Sequence, residues 1–330
     1  MRARLQFFQR SILSVLLPVM IGLLTPIAPA GVGTSPIRVL VMDETRTRFC
    51  GDAWDSNFLT GNVFEDARSW VLSPSNFGPG GVVGRNIELT SVNALTNFSL
   101  SNADVVLLSL FDPEKELDAC EIERLQAFVN QGGGLFVFEN HAADLYVEMF
   151  GGMGENSSGG NTGTFQGDIV NQGPFGNVQG STMSLAFHRT LDDLGPNGRA
   201  LLNDSATSVV AAAFDFGLGR AVLISDEEWV SSYLSNVGCG VPSSDLPLAR
   251  LFFLNSVAYV TPSDGFSYEF STELCCPADI TNDGSLNFFD ISAFLSAFAA
   301  GDLIADFTGD GAFNFFDISA FLQAFSKGCP

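Results

Sequence analysis

Between residues 35 and 261 short unbroken apolar runs alternate with amphipathic stretches. Ile37-Arg-Val-Leu-Val-Met42 carries one polar residue in six, the mark of a strand buried on both faces. Ile87–Val92 predicts a second strand and Asp104–Ser109 a third. A helical period follows over Asp118–Val129, with Ile122, Leu125, Phe128 and Val129 on one face. It stops at Gln131-Gly132-Gly133-Gly134 and leads at once into a fourth strand, Leu135–Phe138. Strands alternating with helices imply βαβ units: an α/β domain whose mostly parallel sheet has helices on both faces. Val209–Phe214 and Arg220–Ser225, joined through Gly217 and Gly219, predict a hairpin added to that sheet, and Leu248–Val260 a closing helix. The Gly- and Asn-rich residues 151–180 predict an irregular surface excursion, and 262–274 a short linker.

The pattern changes in the last 55 residues, where one 12-residue unit occurs twice, 27 residues apart. Asp279, Thr281, Asp283, Asn287 and Asp290 hold positions 1, 3, 5, 9 and 12 of the first copy, with Gly284 at position 6. Asp306, Thr308, Asp310, Asn314 and Asp317 repeat them, with Gly311 at position 6. Side-chain oxygens at this spacing, with Ser285 and Ala312 offering backbone carbonyls at position 7, wrap one hard cation per loop, so two calcium ions are expected. Asn287 and Asn314 would reach the ion directly or through water. Each loop runs into an apolar helical stripe, Ile291/Phe294/Leu295/Phe298 and Ile318/Phe321/Leu322/Phe325. Two such helices make a core too small to be stable alone, and bound calcium and a disulfide would supply stability.

This tail, residues 275–330, resembles a type I dockerin: two loop-plus-helix calcium repeats closed by Asp at position 12, with no helix entering the first loop. The resemblance implies a small all-α calcium-binding domain that plugs into a cohesin-like or other extracellular protein, and by association an assembly that degrades polysaccharide. One departure bears on the partner. Loop positions 10 and 11, small polar or basic in cellulosomal dockerins, are Phe288-Phe289 and Phe315-Phe316 here. These pairs are either core or an apolar docking surface.

The larger domain carries Ala103-Asp-Val-Val-Leu-Leu-Ser109, then a helix, then Gly132-Gly-Gly-Leu-Phe-Val-Phe138, and late in the chain Gly219-Arg-Ala-Val-Leu-Ile-Ser-Asp226. In this order the segments resemble the class I glutamine-amidotransferase-like fold, which implies a flavodoxin-like sheet. Active members of that family carry a nucleophilic Cys on a turn after the strand matching 135–138. Here that place reads Glu139-Asn140-His141, so amidotransferase activity is not expected.

Charge and cysteines place the chain in a compartment. Arg2, Arg4 and Arg10 precede an apolar run from Ile12 to Ile27 and then Ala28-Pro29-Ala30, the grammar of a secretory signal peptide over 1–30. The formal charge is −22; without the first 30 residues, 12 basic residues face 37 acidic ones, net −25. Such a chain repels nucleic acid and anionic membranes. The six cysteines, an even number in an exported chain, favour disulfides. Two calcium repeats related by a pseudo-twofold bring the ends of the tail together, so Cys276–Cys329 is the preferred pair, with Cys275 the alternative partner. Cys50–Cys120 and Cys239–Cys275 would complete the set.

Ligands of open α/β sheets bind beyond the carboxyl ends of the strands. Asp43 and Glu44, Glu139 and His141, and Asp226, Glu227 and Glu228 follow strands there, and Glu139, His141 and Asp226 are the candidates for acid–base or metal chemistry. The alternative is that they cap helices and face water. No nucleophile elbow, P-loop, zinc-protease helix or dinucleotide fingerprint is present. Two functions follow: a secreted, non-catalytic protein that docks through calcium, or a secreted glycosyl hydrolase of polysaccharide catabolism targeted by its tail.

Overall fold

The computed structural model describes residues 35–328 apart from 48, 51–53, 113–114, 139–142, 158–161, 186–187, 206, 226–227, 237–240, 270–276, 282–285 and 309–310. The chain opens with β1 (Ile37–Met42), a two-residue ladder of β2 (Phe49–Cys50) and β3 (Trp54–Asp55), α1 (Glu65–Val71), β4 (Ile87–Val92), α2 (Asn97–Ser101), β5 (Val105–Leu108), α3 (Ala119–Asn130), β6 (Gly134–Phe138) and α4 (Ala143–Met149). An antiparallel set follows: β7 (Met153–Ser157), β8 (Thr162–Phe165), β9 (Thr182–Ser184), β10 (Arg189–Asp193), β11 (Gly198–Asp204) and β12 (Val209–Phe216). Then come β13 (Gly219–Ile224), α5 (Ser232–Asn236) and α6 (Leu246–Val260), and in the tail α7 (Phe288–Ala300) and α8 (Phe315–Lys327).

The sheet runs β4-β1-β5-β6-β13-β12-β11-β8-β9. Its first five strands are mutually parallel, so in chain order they read 2-1-3-4-5, the flavodoxin-like arrangement. Burial explains the apolar runs. Val39, Val41, Phe136, Phe138, Val222 and Ile224 face α1 and α6, whereas Leu40, Met42, Leu135, Val137, Ala221 and Leu223 face α2, α3 and α4. A strand covered on both faces cannot alternate, and β5 and β6 are buried at every position. Edge strand β4 alternates instead. Helix α3 begins where Asp118 and Glu121 cap each other's amides, and Gly132 leaves it at φ +120°.

Three sequence expectations change. The hairpin is not an appendage: β13 is the fifth parallel strand, and β12 turns the sheet antiparallel. Residues 151–180 are not a loose excursion, because β7 and β8 join the sheet and Phe165, Val170 and Val178 are buried. Asn171, fully buried, donates to the carbonyls of Gln166 and Leu201 and fixes the loop, so an asparagine that reads as solvated is a bracket. The segment read as linker is held to the body as far as Glu269. Phe266 and Tyr268 meet Phe128 edge-on at 5.6 Å, and Gln131 exchanges two hydrogen bonds with the Glu269 backbone.

A buried arginine closes the corner. Arg85 donates to the carbonyls of Ser35, Pro36 and Pro262 at 2.9, 3.1 and 3.1 Å, and lies 3.5 Å from the Asp104 carboxylate. In the tail Phe294 and Phe321, one from each repeat, stack in parallel at 4.0 Å. Phe307 packs edge-on against both.

Candidate metal-binding loops

The repeats build the same local structure twice. Asn287 begins α7 as its N-cap: its side chain accepts the Phe289 amide at 2.7 Å, and the Asp290 carboxylate returns to the Asn287 amide at 2.8 Å. Asn314 and Asp317 do the same for α8. Loop position 9 is thus a helix cap in both copies. Position 12 reaches back across the loop. Asp290 Oδ1 accepts the amide of Thr281 at 3.0 Å and its hydroxyl at 2.8 Å, and Asp317 receives the same pair from Thr308. The Thr281 hydroxyl also lies 3.4 Å from Asp279 Oδ1, so positions 1, 3 and 12 converge. In the second loop Gly311 has φ +75°, the left-handed conformation glycine permits, and its amide donates to Asp306 Oδ2 at 2.8 Å.

Asp290 and Asp317 are fully buried. Burial alone would raise their carboxyl pKa values. The donated amides and threonine hydroxyls outweigh it and hold both carboxyls below the usual range, ionised and ready for a cation. The donor set is all oxygen, the chemistry calcium takes. Asp279, Thr281 and Asp290, and Asp306, Thr308 and Asp317, would hold the ions, each ion offsetting most of the charge of its carboxylates. Asp283, Ser285 and Asp310 lie outside the described residues, and among those described no three acidic, His or Cys side chains form a metal cluster. The Ala312 carbonyl accepts a hydrogen bond from the Asn314 side-chain Nδ2 at 2.9 Å. The disulfide Cys276–Cys329 and its alternative through Cys275 fall outside the described residues, as does Cys239; Cys50 has its backbone described but not its side chain.

At the sheet, the switch point between β1 and β5 is filled by the chain itself. Asn57, 2% exposed, donates its side-chain Nδ2–H to the Met42 carbonyl at the end of β1 at 3.1 Å, and its side-chain Oδ1 accepts the amides of Leu59 and Thr60. Phe58 and Phe64 are buried beside it. Asp43 is tied into its own turn by the Thr45 amide and hydroxyl, and Glu44 faces solvent. Arg46 spends its donors on Glu121 and on the carbonyls of Asn93, Lys115 and Glu116. Burial would lower the Arg46 guanidinium; the Glu121 carboxylate overrides this and raises it. This half of the rim is structural. Sequence reasoning missed Asn57, Arg46 and Glu121; the Asx-turn spelling of Asp55-Ser-Asn57 marks a turn there but signals neither the burial of Asn57 nor the Arg46–Glu121 pair. Glu139, His141, Asp226 and Glu227 lie outside the described residues, and the Glu228 side chain is not described. The strands leading to them end side by side, Phe138 in register with Ile224. His188, buried, has Nε2 3.9 Å from Asp204 Oδ2. No helix among the described residues is long and apolar enough to cross a membrane.

No protein-family model and no curated protein matches the chain. Among solved structures it is similar to an exo-beta-1,4-mannosidase from Opitutaceae bacterium strain TAV5, at 12% identity over 70% of this chain and 36% of that one, with TM-score 0.43. The chain thus spans about a third of the mannosidase. It is also similar to a glutamine amido transferase from Methylobacillus flagellatus (7% identity, 72% of this chain, 99% of that one, TM-score 0.44). A Thermoplasma acidophilum protein assigned to GMP synthase shows 9% identity over 68% of this chain and 96% of that one, with TM-score 0.40. Glutamine-amidotransferase-type folds are therefore among the neighbours, while the α/β assignment rests on the chain's own strand order.

Proposed function

We propose that the protein is a secreted, calcium-dependent docking protein: a catalytically silent, amidotransferase-like α/β body carrying a dockerin-type plug that loads two calcium ions and grips an extracellular protein. The observation that carries the reading is the doubled loop geometry, with Asp279, Thr281 and Asp290 gathered in one copy and Asp306, Thr308, Gly311 and Asp317 in the other. The plugged switch point supports the silent body. The Phe pairs support docking: Phe288, Phe289, Phe315 and Phe316 are 73, 68, 74 and 68% exposed, so they are not core.

Calcium titration calorimetry on the chain lacking residues 1–30 tests the reading. Two sites are expected, one lost in Asp279→Ala and the other in Asp306→Ala; no calcium heat in the intact chain would end it. A second reading, the polysaccharide hydrolase, draws on the side-by-side ends of β6 and β13, which lead into Glu139, His141 and Asp226. Hydrolysis of a polysaccharide panel that is abolished by Glu139→Gln would move the function to the body.

A further inference from the structure

The exposed face of each tail helix is a seam as well as a pair of phenylalanines. On α7, Phe288, Ser292, Leu295 and Ala299 are all exposed and follow the 4-3-4 spacing of a helix–helix seam. Helix α8 repeats the spacing with Phe315, Ser319, Leu322 and Ser326, of which Ser319 is half-buried and the other three exposed; Leu295 and Leu322 are 51 and 50% exposed. Large residues alternate with small ones, so the seam offers knobs and the gaps between them. The inward faces are already satisfied by the Phe294–Phe321 stack.

Charge selects the occupant. Residues 277–328 hold seven Asp and one Lys, net −6, and two calcium ions would still leave the tail negative. The chain as a whole is at −22, so a second copy and an anionic lipid surface are both repelled. The seam spacing asks for a helix, and the field asks for Lys or Arg along its edges. Resting on the docking function proposed above, we infer that the outer faces of α7 and α8 each receive a basic amphipathic helix of the partner protein.

The test uses the chain lacking residues 1–30 and two synthetic peptides, each a helix of about five turns with one identical leucine stripe, edged by lysine in one and by glutamate in the other. Calcium titration comes first. If calcium does not bind, the docking reading itself fails. If calcium binds, the lysine peptide should bind at least about tenfold tighter than the glutamate peptide and be released by chelator. Phe288→Ser with Phe315→Ser should weaken it about tenfold more, with calcium titration of that variant reporting whether the loops still form. Equal affinity for the two peptides overturns the inference while leaving calcium docking standing. So do peptide binding indifferent to the Phe changes, insertion into phosphatidylcholine vesicles instead of peptide binding, and calcium-driven dimerisation of the chain.

Discussion

Replacing Phe321 by Ala should make folding of the tail depend on calcium. Phe321 is 1% exposed, stacks on Phe294 at 4.0 Å, and meets Phe307 and Phe325 at 5.3 and 5.9 Å. A Phe→Ala change in such a site costs about 3–5 kcal/mol. A core this small supplies only about 3–5 kcal/mol in total, its fully buried members being Ala278, Phe294, Ala305 and Phe321. The ion-free variant tail is therefore left with almost nothing. Calcium at about a hundred times its Kd returns about 2.7 kcal/mol per site, so two sites restore about 5 kcal/mol. Timed chymotrypsin digestion read by mass spectrometry separates the cases. In chelator the variant tail should be cut at the rate of an unfolded chain, and in calcium it should be protected while the α/β body resists throughout. Protection persisting in chelator would refute the stacked pair as the core. Cutting that calcium does not slow would refute the linkage of loop to core.

Asp290 and Asp317 have lowered carboxyl pKa values in the folded tail, so they stabilise it above the ordinary carboxylate range and stop doing so as pH falls through the lowered values. The melting temperature of the calcium-free tail should be flat near neutrality and drop in acid, and Asp290→Asn with Asp317→Asn should lower the plateau and flatten the drop. Glu121→Gln removes the buried partner of Arg46, whose two contacts are 2.8 and 3.0 Å, and should cost the body about 3–5 kcal/mol in urea denaturation. Gly134→Ala would put a Cβ 2.1 Å from the Val260 carbonyl oxygen, backbone against backbone, and should lower body stability by about 3 kcal/mol in the same assay. Ser109, just past the end of β5, holds a buried hydroxyl without a hydrogen-bond partner among the described residues. Ser109→Ala should therefore be neutral or stabilising by about 1 kcal/mol; a marked loss would reveal a partner for it.

The parallel half of the sheet was legible because both of its faces are covered. Ile37–Met42, Val105–Leu108 and Gly134–Phe138 have no exposed face, and an unbroken apolar run has little else to be. The paired loops were legible because one 12-residue spacing of oxygen-bearing side chains occurs twice. The antiparallel half was not. Strands such as β7, Met-Gly-Glu-Asn-Ser, at an edge, and β8, Thr-Gly-Thr-Phe, between β11 and β9, join the sheet with little apolar signal, and their order is set by partners far along the chain. Nor could sequence show that Asn57 fills the switch point, because a buried asparagine looks like any turn residue until its partners are placed. For the Phe pairs, spacing left core and surface open. The capping of α7 and α8 by Asn287 and Asn314 puts them in the first turn facing outward.

The Arg85 corner bears on how such a body travels between proteins. One guanidinium binds the carbonyls of Ser35, Pro36 and Pro262, so the two ends of a domain more than 200 residues long lie within a single side chain's span. A unit whose ends meet can be spliced into a surface loop of a host protein, or have its ends joined and reopened elsewhere, without prying the sheet apart. The α/β body is in that sense a cassette, and the guanidinium is the latch that keeps it shut when its neighbours change.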